Sequence, residues 1–151
     1  MKEKKKVLFV CSANTCANTC RSPVAAAILR EYGGDRYDAA SAGLFAHNGE
    51  PMMPECAEAL SILFGHAVDP ASHASARITE EMIRGSDIIV AVSKGYEVLL
   101  TSYFPEASGR IVSFPEALAD ISRFSGEMML QAVKQIRNGV FDMFLNDEDP
   151  S

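Results

Sequence analysis

Cys11 and Arg21 are the residues of this chain whose types and spacing suit covalent chemistry. A cysteine thiolate is a strong nucleophile. A guanidinium placed after it offers a planar fork for two oxygens of an oxyanion, which lysine does not reproduce. The two stand at the ends of one segment. Val7-Leu8-Phe9-Val10 runs straight into Cys11, the small polar stretch Ser12 to Cys20 follows, and Arg21-Ser22-Pro23 leads into a helical pattern. Backbone N–H groups at a helix N-terminus form an anion site and also favour a thiolate. The chemistry implied is attack of a cysteine on a bound phosphoryl group. The tetrapeptide Ala-Asn-Thr-Cys occurs twice within the loop, at 13–16 and 17–20, so nine residues separate Cys11 from Arg21.

The elements needed to hold such a site can be read along the chain. Lys5 to Val10 is expected as a buried strand, followed by a helix that carries Val24, Ala27, Ile28 and Leu29 into a core and stops at Gly33-Gly34. A short strand at Tyr37 to Ala40 leads into a turn of small residues, Ser41-Ala42-Gly43-Leu44. Residues 54–64 form a second helix, with Ala57, Leu60, Ile62, Leu63 and Phe64 on or near its buried side. A loop runs from Gly65 to Arg77, and Thr79 caps a short helix whose Glu80 and Glu81 suit its positive end. Asp87 to Val92 is an unbroken apolar strand after its first residue, which implies burial on both faces of a parallel sheet. A helix at Lys94 to Tyr103, a strand at Arg110 to Phe114 and a last helix from Ser125 to Leu145 complete the pattern, before an acidic tail. Strands alternating with helices predict an α/β sandwich around a parallel sheet, in one domain over residues 1–151.

The loop resembles the active-site loop of the low-molecular-weight protein tyrosine phosphatases, in which Cys, five residues, Arg and then Ser or Thr, usually followed by Pro, close the first strand. Removing one Ala-Asn-Thr-Cys leaves Cys-Ser-Ala-Asn-Thr-Cys-Arg-Ser-Pro, which fits that pattern. Ser41-Ala42-Gly43, Gly49-Glu50-Pro51 and the run from His73 to Ile78 are similar to later blocks of the family, so the resemblance covers almost the whole chain. It implies a three-layer sandwich with a four-stranded parallel sheet and helices on both faces. It also implies hydrolysis of phosphoprotein monoesters through a phosphocysteine. In that scheme Cys11 is the nucleophile, Arg21 binds phosphate and stabilises the transition state, and Ser22 donates to the thiolate. Asn18, Thr19 and Cys20 join Ser22 in the phosphate cradle.

The family places its general acid as Asp-Pro before the last helix. Aligning Gln131-Ala132-Val133 with that helix assigns the role to Asp120, although proline and the usual aromatic residue are lacking after it; Glu116 is the fallback. Asp69-Pro70 precedes the third strand and stands in the wrong place. Three arrangements accommodate four extra loop residues. Cys11 and Arg21 keep the family positions while the insertion bulges outward; or Ala17 replaces the arginine and the helix gains a turn; or the strand slips and Cys16 becomes the nucleophile. The outward bulge is favoured, because Pro23 inside a lengthened helix costs about 3 kcal/mol and slipping would pull the apolar run out of the sheet.

The same residues admit other function classes. Thr15 and Thr19, each just before a cysteine, resemble the branch of the family that hydrolyses phosphoarginine. A member impaired by the tandem duplication, retaining phosphate binding alone, is a second alternative. Arsenate reductase is a third, disfavoured by Pro23 and by the lack of a cysteine pair near residues 70–90. Cys16 or Cys20 could trap Cys11 as a reversible disulfide, whereas Cys56 reads as packing. No histidine or cysteine spacing suggests a metal, and no cofactor is expected. A net charge of −6 argues against nucleic acid, the lysines at 2 and 4–6 reading as a lead-in to the strand. No stretch approaches a membrane span, and four cysteines without a secretory leader point to the cytoplasm. The expected partners are a phosphorylated protein and phosphate or another oxyanion in the loop.

Overall fold

The first apolar run becomes β1 (Lys5–Cys11), a central strand flanked on both sides. The computed structural model describes residues 3–11, 21–115, 118 and 124–146. β2 (Tyr37–Gly43), β3 (Ile88–Ala91) and β4 (Ile111–Ser113) complete a sheet in the order β2-β1-β3-β4, with every pair parallel. Chain order therefore reverses between β1 and β3. In open α/β sheets such a switch point, at the carboxyl ends of the strands, is where ligands bind. Cys11 is the last residue of β1 and stands at that end.

Alternation along β1 divides the core into two layers. Val7, Phe9 and Cys11 point to one face, where they meet α1 (Arg21–Gly33), α2 (Pro54–Phe64) and α5 (Gly126–Val140). Leu8 and Val10 point to the other, packing with Ile83 of α3 (Glu80–Arg84) and Leu100 of α4 (Lys94–Tyr103). β3 repeats the division, with Val90 facing the first layer and Ile89 and Ala91 the second. The near-continuous hydrophobic runs in these strands follow from burial on both faces. Cys56 packs between helices as expected, its sulfur 3.9 Å from Met129 Sδ on α5.

Local signals account for most of the element boundaries. Thr79 Oγ1 accepts from the Met82 N–H at 3.1 Å and starts α3, and Ser93 does the same for α4 through Tyr96 at 3.4 Å. Gly65, at φ 80°, ends α2 in the left-handed conformation. Three expectations are corrected. Ser41-Ala42-Gly43 is not a turn but the end of β2, pairing with Phe9, Val10 and Cys11. It stays extended because Gly43 is also hydrogen-bonded on its outer side, donating to Ala76 O and accepting from Ile78 N. Ile62 faces solvent with 61% of its surface exposed, since two residues of helix carry it about 200° from buried Leu60. The last helix changes to a π-helical turn over Phe141–Leu145.

His66, just beyond α2, has Nε2 2.9 Å from Glu31 Oε2 on α1. This hydrogen bond raises the imidazole above its ordinary pKa. Because the folded value is the higher one, the stabilisation is complete below the unfolded pKa near 6.5 and is lost as pH rises through the folded value. Wild type is therefore expected to melt slightly above His66→Asn at about pH 5.5, with the gap closing in mildly alkaline buffer. Paired thermal melts at constant ionic strength check this.

Candidate active site

The site is built from the end of a strand and the beginning of a helix. Cys11 is buried, pairs in register with Gly43, and its carbonyl accepts from Leu44 N at 3.3 Å. The nucleophile candidate is thus held by the sheet itself. Ser22, on the first described turn of α1 and also buried, donates its Oγ–H to Cys11 Sγ at 3.0 Å. A hydroxyl aimed at sulfur favours the thiolate, since hydrogen bonding to the charged form stabilises it. The N-terminal end of the helix adds a positive field in the same region.

Arg21 precedes Ser22 and is also buried, with 6% of its surface exposed. Its Nη1 donates to the Leu118 carbonyl at 2.9 Å. Leu118 lies between β4 and α5, and its own N–H donates to Val92 O at 3.1 Å, just past the end of β3. The segment that follows β4 therefore reaches the carboxyl ends of both central strands. A guanidinium has five donors in a fixed fork, so bonding to one carbonyl is compatible with clamping an oxyanion through two others.

A second wall stands beside Cys11. Gly43 bridges to Arg77, and the 44–50 turn is fastened to the 75–78 segment. Ser75 is the buried knot: it donates to the His47 carbonyl and accepts from Glu50 N at 2.8 Å. Asn48 Oδ1 accepts from Arg77 N at 2.8 Å. The sequence drew attention to this run as a block, but not to Ser75. Ser75 lies among Ser72, His73 and Arg77, so residue type alone does not single it out.

Of the residues expected at the site, Cys11, Arg21 and Ser22 occupy one location at the switch point. Asn18, Thr19, Cys20, Cys16, Asp120 and Glu116 lie outside the described residues. Leu118 was missed altogether. Its role is carried by main-chain atoms, which leave no trace in side-chain type.

The Ser22 contact makes a direct prediction. Ser22→Ala removes a hydrogen bond to a charged sulfur, worth about 1.5 kcal/mol or more. Alkylation of Cys11 by iodoacetamide near neutral pH is expected to slow by about tenfold. Equal alkylation rates in the two proteins would show that the hydroxyl does not serve the thiolate.

The sequence and the fold are similar to those of known proteins. The family model described as low molecular weight phosphotyrosine protein phosphatase matches residues 6–123. The chain is 31% identical over 105 residues to a protein-arginine-phosphatase of Geobacillus stearothermophilus, spanning 70% of this chain and 66% of that protein. It is also 31% identical over 114 residues to the low molecular weight protein-tyrosine-phosphatase Etp of Escherichia coli K12, spanning 74% and 70%. The solved structure of Vibrio vulnificus Wzb in complex with benzylphosphonate is similar at TM-score 0.81 and 27% identity, covering 93% of this chain and 97% of that one.

The chain belongs to the low molecular weight phosphotyrosine protein phosphatase family. Its four-stranded parallel sheet with helices on both faces is the family's α/β fold, and the family's enzymes are cysteine-dependent protein phosphatases.

Proposed function

We propose that this chain hydrolyses phosphotyrosine-type monoesters on proteins, with Cys11 as nucleophile, Arg21 as phosphate clamp and Asp120 as general acid. The Cys11 thiolate attacks phosphorus and the bond to the leaving oxygen breaks. That oxygen takes the proton of Asp120, and a phosphocysteine remains. Water then attacks phosphorus and gives its proton to the Asp120 carboxylate. Inorganic phosphate leaves, and the thiolate is restored. The loop amides around Asn18, Thr19 and Cys20, with Ser22, complete the cradle.

The observation that carries this reading is the 3.0 Å contact from Ser22 Oγ to Cys11 Sγ. A serine displaced by a full helical turn would sit about 5 Å away along the axis. The contact therefore favours Cys11 and Arg21-Ser22 at the family positions; the duplicated residues themselves lie outside the described residues. The register of β1 supports the same arrangement, since Cys11 is paired opposite Gly43 and Phe9 lies in the core. A slipped strand would move every one of these side chains to the wrong face. Asp120 stands two residues after Leu118, whose carbonyl meets Arg21, which is support for its segment as the source of the acid.

Phosphoarginine is the second reading. One relative at 31% identity is named a protein-arginine-phosphatase, and Thr15 and Thr19 have the threonine-before-cysteine pattern of that branch. Release of phosphate from matched phosphotyrosine and phosphoarginine peptides, under reducing conditions, separates the two. A higher kcat/KM on the phosphotyrosine peptide is expected; a preference for phosphoarginine would replace the substrate class and keep the mechanism. Phosphate bound without turnover of either peptide would mean a binding module disabled by the duplication, and a deletion of 17–20 would then be expected to restore turnover. Among the described residues no helix is long and apolar enough to cross a membrane. We place the enzyme in the cytoplasm, where reduced thiols are maintained.

A further inference from the structure

Four hydrogen bonds form a closed ring around the switch point. Val92 N donates to Val10 O at 3.2 Å, joining the ends of β3 and β1. Leu118 N donates to Val92 O at 3.1 Å. Arg21 Nη1 donates to Leu118 O at 2.9 Å. Ser22 Oγ donates to Cys11 Sγ at 3.0 Å and returns the ring to β1. The covalent links Val10-Cys11 and Arg21-Ser22 close it. Not one of these bonds uses the loop between Cys11 and Arg21.

We infer that the Leu118 main chain is a positioning strut that fixes Arg21 relative to Cys11 by a route that does not pass through the loop between them. The physical case rests on burial and charge. A buried guanidinium bound to a carbonyl forms a charge-assisted bond, stronger than a neutral one, and its acceptor is anchored to the sheet at its other end. In a family loop of five residues, the loop could hold arginine and cysteine together by itself. Here nine residues intervene, and the ring supplies a shorter mechanical route. Because Asp120 follows Leu118 by two residues, the same strut ties the acid-bearing segment to the phosphate clamp. This inference rests on the phosphatase reading above.

Two variants test the strut without touching a catalytic side chain. Ala119→lactate, made by semisynthesis, turns the Leu118 carbonyl into an ester carbonyl and a weaker acceptor. Leu118→Pro removes the N–H that anchors it to Val92. Each is assayed with aryl phosphates of good and poor leaving groups, and for inorganic phosphate binding by calorimetry, with and without Arg21→Lys. Both are expected to weaken phosphate binding about tenfold, and to lower kcat more for the poor leaving group. The Arg21→Lys background should abolish any further effect of either change.

Unchanged phosphate affinity and kcat in both variants would overturn the strut. So would an equal loss in the Arg21→Lys background, which would mark a merely structural role. If wild type binds phosphate without turnover, the phosphatase reading fails while the affinity change still decides the strut. If wild type binds no phosphate, both are overturned.

Discussion

Cys11→Ser is expected to abolish turnover, lowering kcat by about 10⁴-fold or more, while leaving phosphate binding within a few-fold of wild type. A serine hydroxyl ionises far above neutral pH. A hydrogen bond from Ser22 and the field of a helix terminus can favour a thiolate but do not produce an alkoxide. The fold should survive the change. Cys11 is buried, but the new hydroxyl has the Ser22 oxygen within reach, so a buried polar group gains a partner instead of being stranded. The split between lost chemistry and retained binding is therefore the signature, measured by aryl phosphate hydrolysis beside phosphate calorimetry. Cys16→Ser and Cys20→Ser under reducing conditions are expected to keep most of the activity. Loss confined to Cys16→Ser, with Cys11→Ser active, would mean that the nucleophile is not the residue at the end of β1.

The strand that ends at Cys11, the proposed nucleophile, was legible in the sequence, and the reason is physical. Val7 to Val10 is apolar at every position, as burial of a strand on both faces requires. Cys11 followed directly from that run, and Arg21-Ser22 from the helix pattern beyond it. Ser41 to Gly43 was misread because small residues signal turns in isolation, whereas here β1 on one side and residues 76–78 on the other hold them extended. Tertiary pairing overrode a local preference. Ile62 is apolar, but the helical angle turns it away from buried Leu60 and into solvent. Leu118 could not be found at all. Its carbonyl and N–H do the joining, and every residue except proline carries that pair. The proposal of Asp120 as acid rests on alignment to the last helix, since Asp120 lacks the proline that marks the family's acid.

Arg21→Lys is expected to lower kcat/KM by about 10² to 10³-fold, comparable to removing a transition-state donor elsewhere. The comparison with Arg21→Ala shows what the arginine contributes beyond charge. Lysine keeps a cation near Cys11, so the pH at which the thiolate forms should stay close to that of wild type. It loses the planar fork that holds two phosphoryl oxygens at once, so the damage falls on transition-state binding. Arg21→Ala loses both. Its rate should fall further, and the acidic limb of its pH profile should move upward, because a positive neighbour no longer favours the thiolate. A single pH–rate series on the three proteins decides the matter. Equal activity in wild type and Arg21→Lys would mean that any cation suffices and that the bidentate clamp is not formed. A shift of the acidic limb in Arg21→Lys as large as in Arg21→Ala would instead place the arginine's main effect on the thiol. The first outcome would also break the strut, since the Nη1 bond to Leu118 matters only if the guanidinium's orientation does.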